Sequence, residues 1–134
     1  MRRPLLPALR RTLRPIVLTA LAASAVAQGD PTAPLRDLLA RGFYNAAAQL
    51  EGPNLVQQRP DDPEARYLYA RAAWATGDVV TAREQLDRAL SLVAVEPVAY
   101  VHLNGLLRAA EGDVNGALRS LENAFLRSRD YQHG

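Results

Sequence analysis

The chain has 134 residues, 49% hydrophobic and 22% charged, with no cysteine; that suffices for one domain with a modest core and rules out a disulfide framework, a thiolate metal site and a thiol nucleophile. All sixteen basic residues are arginine, and five of them (Arg2, Arg3, Arg10, Arg11, Arg14) precede the first acid, Asp30. Beyond that point eleven arginines face fourteen acids, so the formal +2 resides in the leader, and the remainder lacks the clustered positive charge that nucleic-acid binding needs.

The leader comes first. After its arginines, Ile16 to Ala27 is an uncharged apolar run, shorter than the ~20 residues that span a bilayer. It closes on Ala25-Val26-Ala27, the small-x-small pattern that admits a signal peptidase. A cleavable signal peptide over 1–27, cut between Ala27 and Gln28, is therefore expected, with a periplasmic or secreted mature chain and no stable membrane span after cleavage. An arginine-rich organellar transit peptide and an ordinary amphipathic helix are the rival readings of the same segment.

Next, Pro31 and Pro34 leave only Leu35 to Arg41 for a short first helix. A second helix starts near Phe43 and meets Gly52-Pro53, which should end or kink it, with a short helical piece resuming before Arg59-Pro60. Asp62 is a good N-cap and Pro63 suits the first turn, so a helix runs from Pro63 to Thr76. Gly77 supplies a stop. Asp78 then caps Val79 to about Val93, whose apolar residues recur at spacings of three and four. Pro97 opens the next helix, Gly112 ends it, and Asp113 caps Val114 to about Ser128.

These elements repeat. Gly42, Gly77 and Gly112 stand 35 apart. Ala47, Ala82 and Ala117 each follow such a glycine by five residues, and Ala89 and Ala124 follow the last two by seven more. Ala70 and Gly105 sit seven before Gly77 and Gly112, and Gly-Asp-Val occurs twice. Small residues in step allow paired helices to approach to ~8–10 Å. The pattern resembles the tetratricopeptide repeat family over about residues 35 to 128. It departs from the family's 34-residue period through an extra residue assigned to the link Ser91 to Pro97, and Asn104 and Arg108 replace large aromatics in the third unit. The expected fold is an all-α solenoid of about three antiparallel helix pairs (35–59, 63–93, 97–128) within a domain spanning 28–134, with the first repeat irregular. Gly42, Ala47, Ala70, Gly77, Ala82, Ala89, Gly105, Gly112, Ala117 and Ala124 form its repeat-packing set. A plain alanine-rich bundle around one shared centre is the alternative.

The resemblance implies that the first helix of each pair lines a concave groove holding an extended peptide or a partner helix. Transferred to this sequence, the groove-facing, partner-binding candidates are Arg36, Leu39, Tyr67, Arg71, Trp74, His102, Leu106 and Ala109. Arginine grips carboxylates, and Tyr67 and Trp74 offer flat apolar area with a polar handle; both aromatics suit inter-repeat packing equally well. His102 has no second histidine or acid at ligand spacing on its helix. Asp61-Asp62 is turn chemistry, Ser91, Ser120 and Ser128 lack a nearby base, and no glycine-rich phosphate loop occurs. The expectation is a protein-binding module without catalysis, metal or cofactor. Apolar surplus on the last helix (Leu118, Leu121, Phe125, Leu126) adds a second reading, a structural or assembly subunit that forms homo-oligomers through its solenoid ends.

Overall fold

Six helices follow one another among the residues that the structure, a computed structural model, describes, 29–133. Helix α1 is Ala33–Ala40. Helix α2 begins as Tyr44–Ala46, widens to a π-helical stretch over Ala47–Glu51, and continues as Gly52–Gln58. Then come α3 (Pro63–Ala75), α4 (Val79–Ser91), α5 (Val98–Ala110) and α6 (Val114–His133). All belong to one unit, Thr32–Gly134. The expected signal peptide and its cut at Ala27/Gln28 lie outside the described residues.

One turn, used three times, sets the hairpins. Gly42, Gly77 and Gly112 have φ of 80°, 84° and 87°, a region closed to most residues with a Cβ. Each glycine N–H donates to a carbonyl three residues back, and the next N–H reaches five back: Phe43 to Leu38, Asp78 to Ala73 and Asp113 to Arg108, each at 2.9 Å. The six-to-one bond is the Schellman helix stop. These glycines are exposed, with nothing within 4 Å of an added Cβ. They therefore act through backbone conformation, which corrects their grouping with the packing residues. In two of the turns the following residue also starts the next helix: Asp78 Oδ1 accepts from Thr81 N at 3.1 Å and Asp113 Oδ1 from Gly116 N at 2.9 Å. Phe43 holds that place in the first repeat and forms no side-chain cap, one source of the irregularity there.

Helix α2 departs from expectation. Gly52-Pro53 neither ends nor breaks it, because the helix widens by one residue just before the proline. Ala47 and Gly52 are buried five residues apart where Ala82 and Leu86, one repeat on, are buried four apart. A π-turn restores the buried face after the extra residue. The first 35-residue step thus has its surplus residue in α2, and the longer link before Pro97 supplies it only in the second. Close packing keeps the distorted segment in place: a Cβ on Gly52 would lie 2.7 Å from the Ala47 carbonyl oxygen and 2.9 Å from Tyr69 Cδ1. Elsewhere the bounds shift little, except that α6 continues to His133 instead of ending near Ser128.

The core runs along the stack. Leu35, Leu39, Ala47, Leu55, Val56, Ala65, Leu68 and Ala72 form one cluster, and Ala70, Ala73, Ala82, Leu86, Ala89, Tyr100, Leu103 and Leu107 form the next. Helix α3 feeds both, sending Ala65, Leu68 and Ala72 back to the first hairpin and Ala70 and Ala73 forward to α4. A helix buried on two faces between separate cores is the mark of a stacked array and excludes a bundle around one centre. Successive helices pack on each other, and α1 on α3 and α3 on α5 add contacts between like helices of adjacent repeats. Ala117 and Ala124 are buried on α6, and Gly105 of α5 lies against Leu121 of α6. Between repeats, Arg83 of α4 donates to Glu111 at 2.6 Å and to Asn104 Oδ1 at 2.7 Å, both on the α5 side.

Candidate functional site

Because α1, α3 and α5 lie side by side, residues at equal repeat positions line up across them. Arg36, Arg71 and Leu106 are one such row, and Leu39, Trp74 and Ala109 another. On α3, Tyr67, Arg71 and Trp74 share one stripe through spacings of four and three. The fold brings Leu39, Tyr67, Arg71, Trp74, His102 and Leu106 together in the wall of one open groove of about 340 Å³, joined by Tyr44, Ala75 and Leu103. Three helices and the start of α2 contribute to it.

Two candidates fall elsewhere. Arg36 is absent from the groove wall and pairs with Glu64 at 3.1 Å, because the acid opening α3 lies beside α1. Ala109 is exposed near the end of α5 and does not line the groove. Conversely, the sequence reading missed Tyr44, Ala75 and Leu103. Tyr44 is a large exposed aromatic two residues after the Gly42 stop, where the chain turns back from the end of α1. Leu103 is a core residue whose edge reaches the groove.

Tyr67 packs and lines the groove at once. Its ring stacks on Tyr100 of the next repeat, with centroids 4.5 Å apart and planes inclined by 20°. The Arg71 guanidinium lies 5.9 Å from the Tyr67 centroid, within cation–π range. Among the described residues no carboxylate is in ion-pair reach of Arg71, whereas Arg36, Arg41, Arg59, Arg83, Arg88 and Arg108 all have one. Trp74 is half-buried one turn further on. The groove thus offers aromatic faces, an aliphatic floor and one guanidinium.

Tyrosine ionisation reports on this packing. Burial pushes the Tyr67 hydroxyl up from 10.0, against the pull of Arg71. Burial raises Tyr100 much further, and the Glu64 carboxylate beside it adds to the rise; the Tyr100 hydroxyl donates to Glu64 Oε2 at 3.4 Å. A group whose pKa is higher folded than unfolded gives stability that is complete below its unfolded value and is lost as pH climbs above it. The chain has no lysine, so tyrosines dominate titration near pH 10. Urea unfolding of the wild type should show stability falling markedly as pH rises above about 10, and Tyr100→Phe should lose less over that window. At neutral pH the same variant should forgo no more than ~0.5–1.5 kcal/mol for the lost hydrogen bond. Equal alkaline slopes for the two proteins would contradict the assignment.

Stacked helical hairpins whose first helices lie side by side along one open groove define a helical repeat scaffold. The tetratricopeptide repeat family model matches residues 38–100, and the chain carries tetratricopeptide repeats over that span. No curated relative and no solved structure matches it. Members of this family generally mediate protein–protein interaction and are typically non-catalytic. No helix among the described residues is long and apolar enough to cross a membrane.

Proposed function

We propose that the chain is a non-catalytic adaptor that holds an extended peptide or a partner helix in the groove formed by α1, α3 and α5, acting in an exported compartment after removal of residues 1–27. The observation that carries this reading is the convergence of Leu39, Tyr67, Arg71, Trp74, His102 and Leu106 on one groove. Apolar walls with a few polar groups are the usual make-up of a ligand site. The flat faces of Trp74 and Tyr67 supply contact area at low entropic cost, and Arg71 gains a bidentate partner from an acidic side chain or a terminal carboxylate. Export is supported by the order of the leader: arginines, a short apolar run, then Ala25-Val26-Ala27.

Arg71 is exposed and Trp74 half-buried, so the pair can be changed with modest cost to the fold. Arg71→Glu with Trp74→Ala should abolish recovery of the partner from the exported fraction while helical circular dichroism stays near wild type. Partner recovery that survives the double change, with helicity intact, would refute the groove reading. Comparison of the mature N-terminus with Gln28 tests export separately.

A further inference from the structure

The end of the stack repeats, one step on, a surface that the chain itself covers. A shift of 35 residues carries Leu86 and Leu90 of α4 onto Leu121 and Phe125 of α6. Leu86 is fully buried and Leu90 packs on the same cluster, both beneath Tyr100, Leu103 and Leu107 of α5. Phe125, by contrast, is 62% exposed and Leu118 61%. Between α5 and α6 lies an open hollow of about 580 Å³, bordered by Ala99, His102, Leu121 and Phe125 and reached from α3 by Tyr67.

The same shift identifies what such a hollow accepts. Its border residues Ala99, His102, Leu121 and Phe125 correspond to Glu64, Tyr67, Leu86 and Leu90. In that earlier place the side chain of Tyr100 stacks on Tyr67, bonds Glu64 and packs with Leu86 and Leu90. The hollow between α5 and α6 is therefore a socket of the kind Tyr100 fills, with His102 as the stacking face. Ala99 replaces the acid that accepts from the Tyr100 hydroxyl, which favours phenylalanine over tyrosine as the occupant. A second change follows α6 away from the hollow: Leu118 stands where α4 has Arg83, the residue that grips Glu111.

We infer that the α5–α6 face is a second docking surface, adjoining the α1–α3–α5 groove and sharing Tyr67 and His102 with it, for an amphipathic helix of a partner protein that inserts an aromatic side chain beside His102. The partner helix lies on α6 as α5 lies on α4, with an aromatic residue at position i and apolar residues at i+3 and i+7, the spacing of Tyr100, Leu103 and Leu107. At i+11, where α5 is followed by Glu111, it carries an apolar residue to meet Leu118. The surface continues an interface already present within the fold, which identifies the occupant as a helix rather than an extended strand.

The probe is a synthetic labelled peptide of residues 96–113 carrying Y100F and E111L, titrated against the chain by fluorescence anisotropy. Saturable binding is expected, weakened at least tenfold by Phe125→Asp in the chain or by alanine at peptide position 100, and unchanged by Arg71→Glu. Leu118→Arg should reverse the preference, so that a peptide retaining Glu111 binds better than its E111L form. Phe125 and Leu118 are both exposed, so helicity should persist; if Phe125→Asp unfolds the chain, the Leu118→Arg preference and the peptide alanine variant still decide. Absence of saturable binding, or binding indifferent to Phe125 and Leu118, would overturn the inference. So would a dimer in sedimentation that Phe125→Asp dissolves and the peptide cannot displace, since a second copy would then own the face.

Discussion

Leu107→Ala is expected to lower the unfolding free energy by about 2–5 kcal/mol, the range for emptying a well-packed leucine site. Leu107 is 0% exposed and sits in the second cluster with Leu86, Leu103 and Tyr100. Its removal combines lost transfer free energy with a cavity that rigid helices cannot close. Total stabilities of ~5–15 kcal/mol are normal for domains, and a stack whose cores are small and separate has little reserve. Leu118→Ala is the matched control: at 61% exposure it should change stability within ~0.5 kcal/mol. Urea unfolding followed by circular dichroism compares the two. Similar losses for both would mean that α6 is covered on its outer face in the free chain, and a negligible loss for Leu107 would contradict the division of the core along the stack.

The second large effect is expected at Gly105. A Cβ there would lie 2.8 Å from both Cγ and Cδ2 of Leu121 and 3.3 Å from the Leu121 backbone nitrogen. The leucine side chain can swing aside for one methyl group, and alanine gains ~1 kcal/mol of helix propensity over glycine. Gly105→Ala should therefore cost little. Gly105→Leu has no such escape, because the branched side chain meets the α6 backbone itself and must push the helices of the last hairpin apart. Overpacking of this kind costs ~1–3 kcal/mol and sometimes more. Amide exchange should accelerate in α5 and α6 before it does in α1 and α2, since each hairpin leans mainly on its neighbours. Equal destabilisation by alanine and leucine would show that the close crossing is not what limits this site.

Much of the scaffold was readable from residue spacing. Glycines 35 apart reported a recurring backbone conformation, and alanines in step with them reported close helix crossings; both signals are local and survive translation into structure. The π-turn in α2 was not readable. Gly52-Pro53 carries a strong local signal to stop, and what overrides it is tertiary: Leu55 and Val56 are buried beyond the proline and Tyr69 packs on Gly52. Arg36 shows a different limit. Its repeat position pointed to the groove, but Glu64 lies 28 residues away in sequence and captures the guanidinium, a pairing that no spacing rule selects among so many arginines. Tyr67 was legible as either packing or groove lining, and it does both, stacking on Tyr100 while lining the groove wall.

Trp74 gives the most direct test of the groove, since it is the only tryptophan in the chain and lines the groove wall. A partner recovered with the wild-type chain, titrated back as a tryptophan-free fragment, should shift the Trp74 emission to shorter wavelength in a saturable manner, because binding removes the indole from water. Saturable binding by sedimentation with the Trp74 emission unmoved would contradict the account.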